Sequence, residues 1–251
     1  LRRVAEALAR GHRAGEVVSA SEAALAELLG ASPGVSRIPG PAGPEETASV
    51  TELLRAVEQF DGERLTRLLT VAWGMLGPLA FVHTLVAPLL RGVGDAWADG
   101  RLEIRHEHFV AERIGDLLRT FRLPFEARAR GPLIVFGTLP GEVHGLGLQM
   151  AALVLATLGS RVCYLGTDVP LDQLAALAKD LGARAVAVSV SGSSRGARAT
   201  AHVSRLRALL PRRVALLVGG EGAPARCPGV ELVQDLAMLH AWGARLVQAA
   251  A

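Results

Sequence analysis

Lysine is nearly missing from this chain of 251 residues: Lys179 is the only one. That argues against an enzyme working through a lysine Schiff base. Arginine therefore supplies the positive charge, the net charge is +3, and there is no block of five or six basic residues of the kind that marks a nucleic-acid arm. The arginine bias reads as genome composition, and DNA contact within this chain gains little support from it. Aromatic residues make up only 4%, so leucine, alanine and valine must fill the cores. Cysteine is limited to Cys163 and Cys227, too few and too far apart for a disulfide framework; they suit reduced thiols in a cytoplasmic protein. We see no apolar run long enough to span a bilayer and no signal peptide, so the expectation is a cytoplasmic chain without membrane contact. The chain starts at Leu1 without a methionine, from which we expect part of something longer.

What is present is a large apolar fraction, 50%, enough for two modest domains or one large one. Residues 1–30 read as two short helices, the first amphipathic with Leu1, Val4 and Leu8 on one face and ended by Gly11. Residues 31–46 are rich in Pro, Gly and Ser and read as a linker. Residues 47–125 read as a four-helix bundle. Its helices are expected over about 47–59, 63–75, 78–98 and 103–122. Pro88 should kink the third near Thr84, and Pro124 should end the fourth. A short polar link, 126–131, leads to a domain over 130–251 in which strands and helices alternate. The strands are expected at 132–137, 161–165, 184–190, 214–218 and 230–233, and the helices at 146–158, 170–181, 196–209 and 234–249. Such alternation implies a parallel, doubly wound sheet with right-handed crossovers. The fold class expected is thus α + α/β: a four-helix bundle followed by a flavodoxin-like five-stranded parallel sheet.

The chemistry concentrates on the loop after the first strand, Gly141-Glu142-Val143-His144-Gly145-Leu146-Gly147. Ligands of open α/β sheets bind at the carboxyl ends of the strands. An imidazole there can coordinate a metal with its other nitrogen oriented by a carboxylate, and Glu142 stands two residues back. Taken alone, a Glu-x-His on a loop is ordinarily surface polarity or a local hydrogen bond. The flavodoxin-like order puts two further loops beside it: Ser189-Val190-Ser191-Gly192 and Gly219-Gly220-Glu221-Gly222, with Thr167-Asp168-Val169 at the rim. Ser189 and Ser191 are hydrogen-bond donors there, and Gly219 and Gly220 permit close backbone approach. In the bundle, Trp97 is followed after nine residues by Glu107-His108, and the turn between the last two helices should bring them to one end. Each alone is compatible with packing or a solvated face.

Glu142-x-His144-x-x-Gly147 is similar to the Asp/Glu-x-His-x-x-Gly signature of cobalamin-binding domains, in which the His is the lower axial ligand of cobalt. The Trp97-to-Glu107-His108 spacing resembles a motif of the CarH/LitR family of cobalamin-dependent, light-responsive transcription regulators. The resemblance covers roughly residue 47 to the C-terminus. It implies that the bundle caps the upper face of a corrin, with Trp97, Glu107 and His108 beside the upper ligand and His144 below. It also implies that Ser189, Ser191, Gly219 and Gly220 line a slot for the displaced nucleotide tail, and that Thr167, Asp168 and Val169 line its rim. Ser191 stands where that family commonly has Leu. Residues 1–12 resemble the closing helix of a MerR-type winged-helix domain, so DNA would be contacted only through a domain outside this chain. In light-sensing relatives a His directly after the Trp can cap cobalt; here it is Ala98. Another donor (His106, His108 or His83), water, or a second chromophore such as a bilin would take that place. The resemblance implies a non-enzymatic photosensor that holds adenosylcobalamin and changes domain packing or homo-oligomeric state on photolysis. The alternative is the corrinoid methyl carrier of a methyltransferase system. A mutase is disfavoured because the chain has no room for an added eight-stranded barrel, and a flavodoxin-like module for another ligand is the reading without cobalt.

Overall fold

The computed structural model describes residues 48–249; the helical remnant expected at 1–30 and the linker at 31–46 lie outside the described residues. The first element is helix α1, Val50–Glu58, opened by a capping box in which Ser49 and Glu52 satisfy each other's backbone N–H groups. Asp61 caps α2, Gly62–Leu76, by accepting the Arg64 N–H at 2.9 Å. Helix α3 runs continuously over Pro78–Ala98. Pro88 does not break it. The turn before it, Phe81–Val86, widens to π geometry, with the Ala87 N–H reaching the Val82 carbonyl, which makes room for a ring that has no N–H to give. By length and composition α3 could cross a bilayer, contrary to the expectation that no such run exists. Its inward residues Phe81, Val82, Leu85, Leu89 and Val93 are buried in the bundle core.

Helix α4, Ile104–Arg128, runs through Pro124, which corrects the expected stop at 122 and shortens the link expected at 126–131 to residues 129–132. Pro124 is exposed, so water can take the carbonyl it leaves free, and tertiary contacts hold the turn beyond it. Trp73 stacks on Phe121 with centroids 4.4 Å apart and meets Phe125 edge-on at 6.3 Å. Arg122 pairs with Glu126 one turn on.

The sheet contains β1 (Leu133–Thr138), β2 (Arg161–Gly166), β3 (Ala185–Ser189), β4 (Ala215–Gly219) and β5 (Glu231–Val233). All strands are parallel, in the order β2-β1-β3-β4-β5. The helices are α5 (Leu146–Thr157), α6 (Leu171–Asp180), α7 (Ala197–Leu209) and α8 (Leu236–Gln248). Alternate residues of each strand face opposite layers. Val135, Val186 and Leu216 pack with α6 and α7, while Ile134, Phe136 and Ala187 pack with α5 and α8. Helix α5 is apolar on all sides because both its faces are covered: Leu148 and Leu155 enter the sheet core, and Leu153 enters the core of the bundle. The bundle therefore docks on the α/β domain through α4 against α5.

Candidate functional site

The strand order reverses between β1 and β3, and the crevice this opens lies at the carboxyl ends of those two strands. The loop that leaves β1 there is held by its own backbone and by two neighbours. The buried Thr138 hydroxyl donates to the Glu142 carbonyl at 2.6 Å and accepts the Asp168 N–H at 2.8 Å. Asp168, in the left-handed region at φ 54°, returns its carboxylate to the Gly141 N–H at 2.7 Å.

This clasp turns Glu142 inward, so that it is 1% exposed. Oε1 accepts the His144 backbone N–H at 2.9 Å and faces the His144 Nδ1 at 2.7 Å. Oε2 accepts the Ser191 N–H at 2.8 Å and its hydroxyl at 2.7 Å. Burial works against ionisation, but the bonds from the Ser191 hydroxyl, the two N–H groups and the His144 ring outweigh it and hold the carboxyl down to about 2. Glu142 is thus a permanent carboxylate at neutral pH. A carboxylate can only accept, so the proton of the neutral imidazole sits on Nδ1 and the Nε2 lone pair is left free. The His144 side chain is 53% exposed. A second hydroxyl, on Ser193, stands 2.8 Å from Ser191 Oγ and 3.4 Å from His144 Nδ1.

Among the described residues no three His, Cys, Asp or Glu side chains cluster to hold a metal ion. One imidazole cannot retain a free ion by itself. The donor set fits a metal that arrives with most of its coordination filled by a macrocycle and needs one nitrogen on an open face. Cys163 and Cys227 are both free.

The structure brings Glu142, His144, Ser191 and Ser193 together, and the expected tail-slot residues beside them. Ser189 meets Gly147, where an added Cβ would stand 2.7 Å from Ser189 Oγ. Ser191 departs from the ligand-donor role expected of it: its N–H and hydroxyl both go to Glu142, because that buried carboxylate has four acceptor positions to fill. Val169 does not line the rim. It is buried at 8% exposure in the core beneath α6, against Gly137. Thr167 and Asp168 are exposed. Gly219 ends β4 and Gly220 follows it, and what demands glycine there is protein backbone: Gly220 has φ 98°, and a Cβ on it would fall on the Val190 carbonyl. Sequence reasoning missed Thr138 and Ser193. A hydroxyl closing an otherwise apolar strand run was the available signal for Thr138; Ser193 gave none.

In the bundle, Trp97 ends α3 and is 56% exposed, unusual for the largest apolar side chain. Glu107 and His108 stand at the same end, on the first turns of α4, joined by a contact of 2.7 Å between Glu107 Oε2 and His108 Nδ1. His106 is buried instead: its Nδ1 accepts the Glu103 N–H at 3.0 Å, completing a capping box, and its ring stacks 4.3 Å from Phe60. It is therefore not a donor for an upper ligand position. His83 and Ala98 are exposed.

Comparison with known proteins gives these features a context. Residues 132–234 match the B12 binding domain family, and residues 50–120 match a second B12 binding domain family. The chain is 34% identical over 175 residues to the HTH-type transcriptional repressor CarH of Myxococcus xanthus, covering 68% of this chain and 57% of the repressor. It is 25% identical over 139 residues to trimethylamine corrinoid protein 1 of Methanosarcina mazei, covering 53% of this chain and 64% of that one. The chain thus spans little more than half the length of the repressor it matches. Among solved structures, the monomethylamine corrinoid protein of Methanosarcina barkeri superposes with a TM-score of 0.62 at 14% identity, covering 77% of this chain and 96% of that one.

Proposed function

The chain belongs to the B12-binding family in its CarH-like form, and from that premise we propose that it is a light-responsive regulator in which His144 is the lower axial ligand of a bound cobalamin. The observation that carries this reading is the Glu142–His144 pair. A buried, permanently charged carboxylate fixes Nδ1 and leaves Nε2 as a lone-pair donor on an open crevice.

Bound adenosylcobalamin would supply a cobalt–carbon bond that visible light breaks. The chain's own residues then have distinct tasks. Glu142 and Ser191 keep the imidazole in one tautomer and orientation. Ser189 and Gly147, with Gly219 and Gly220 across the crevice, border the slot for the nucleotide tail, and Thr167 and Asp168 its rim. Trp97, Glu107 and His108, at the end of the bundle, would cover the upper face. Trp97 would pack against whatever group the cobalamin carries on that side, so a change in that group would alter the packing of the bundle on the α/β domain or the assembly of copies of the chain. Output to DNA would pass through a domain outside this chain. With Ala98 after Trp97, water or His108 would complete the upper side after photolysis, or a bilin would stack there as a second chromophore; His83, fourteen residues before Trp97 on α3, stands about 21 Å from that end and is not a donor for it.

The test is an absorption spectrum of the protein reconstituted with adenosylcobalamin in darkness, repeated after green light, with molecular mass measured in both states. A light-driven spectral change with a change in mass supports the regulator. Binding with no response beyond photolysis of the free cofactor favours the methyl-carrier reading, to which the similarity with the corrinoid proteins lends weight. Absence of binding refutes both. Bilin absorption missing after expression with a bilin supply removes the second chromophore.

A further inference from the structure

One charged side chain is buried in the seam where α4 meets the α/β domain. Arg122 is 6% exposed. Its Nε lies 2.6 Å from Glu126 Oε1, close enough for an ion pair but out of line for a hydrogen bond, and among the described residues Nη1 has no hydrogen-bond partner. The guanidinium carbon stands 4.8 Å from the centroid of the Tyr164 ring. Tyr164, on β2, is the only tyrosine in the chain. Burial pushes its phenol up, against the opposing charges of Arg122 and Arg119, so it remains a donor at neutral pH. Its hydroxyl donates to the Gly145 carbonyl at 3.4 Å, the same carbonyl that accepts the Gln149 N–H at 2.9 Å to open α5. Gly145 directly follows His144.

A half-satisfied guanidinium in an apolar seam is costly, and an apolar side chain of similar volume would usually serve packing as well or better. The contacts it makes are what set it apart. They form an unbroken path from a helix of the bundle, across the seam, to the residue after the imidazole. We propose that Arg122 is a positioning residue that, through the Tyr164 ring and hydroxyl, ties the His144 loop to the helical bundle, so that a displacement of α4 on the seam is felt at the imidazole and the reverse. The link to cobalt rests on the reading of His144 above; the link between bundle and loop does not.

The experiment has one arm without cofactor. Amide hydrogen exchange is measured in Arg122→Met, Arg122→Lys, Tyr164→Phe and the Arg122→Met/Tyr164→Phe double variant. Loss of a buried cation–ring contact should speed exchange at the His144 and Gln149 amides about tenfold. Arg122→Lys should restore part of the protection, and the double variant should be no faster than the faster single one. Wild-type rates at these two amides in both Arg122→Met and Tyr164→Phe overturn the proposal. So does faster exchange confined to α4, which is loss of packing alone. Tyr164→Phe removes one hydroxyl, so it remains informative if Arg122→Met fails to fold. In the second arm the proteins are loaded with hydroxocobalamin, reduced to the cobalt(II) form and examined by electron paramagnetic resonance for nitrogen splitting from a lower imidazole. A mixed signal in Arg122→Met beside a fully split wild type supports the proposal. An unsplit wild type, with the exchange effect intact, refutes the cobalt reading of His144 and leaves the bundle-to-loop tie supported.

Discussion

Replacing Glu142 by glutamine tests the site at its most heavily bonded group. The carboxylate accepts two hydrogen bonds from His144 and two from Ser191. A carboxamide has one oxygen, so it can serve one pair only, and its NH2 group must then face the donors of the other in a buried position. The magnitude follows from linkage. The carboxyl is held at about 2 against an ordinary 4.5, and at about 1.4 kcal/mol per tenfold change in proton affinity this is about 3 kcal/mol of native-state preference for the ionised form. Because the pKa is lowered on folding, that contribution is fully present above about 4.5 and is lost as pH falls towards 2. Glu142→Gln should therefore be about 3 kcal/mol less stable at pH 7. The gap from wild type should narrow between pH 4.5 and 2, because the variant has no carboxylate there to protonate. Urea unfolding of both proteins at a series of pH values in this range measures it, and taking the difference cancels the other carboxylates. A constant gap across that range, or less than about 1 kcal/mol at pH 7, would refute the claim that this buried charge is what holds the loop.

Other outcomes follow from the same geometry. His144→Ala should keep the fold but bind hydroxocobalamin more weakly and without a nitrogen lower ligand in its spectrum; an unchanged spectrum refutes the ligand role. Gly220→Ala places a Cβ on the Val190 carbonyl at φ 98°, and should cost about 2 kcal/mol or more in chemical denaturation; a cost within about 0.5 kcal/mol would show that the loop adapts. Phe81→Ala empties a buried site in contact with Trp73 and Phe121, at about 3–5 kcal/mol by the same assay. Trp97→Ala should cost little stability, since the ring is 56% exposed, while reducing the light response or cobalamin affinity; a large loss of stability with normal binding would return Trp97 to a packing role.

Local pattern was enough to place most elements of this chain. The Leu133–Thr138 apolar run, the Ala/Leu run after Gly145 and the alternation that follows specify strands and helices because period and turn residues act over a few positions. The Glu142-x-His144 pair was legible for the same reason, since both partners lie on one loop. Tertiary structure decided the rest. Pro124 is a helix breaker by local rule, yet α4 passes it, because the proline faces water and the stacking of Trp73 on Phe121 and the contact with Phe125 hold the helix beyond it. Pro88 was expected to kink its helix, and the strain is taken up by a widened turn. His106 was a candidate upper donor and is a buried cap. Val169 looked like a rim residue and is core. The bond from Ser191 to Glu142 spans 49 positions, and neither it nor the Arg122–Tyr164–Gly145 path has any trace in local pattern. Propensity and periodicity are properties of a short segment, whereas burial, protonation and the partner of a polar atom depend on what the fold places beside it.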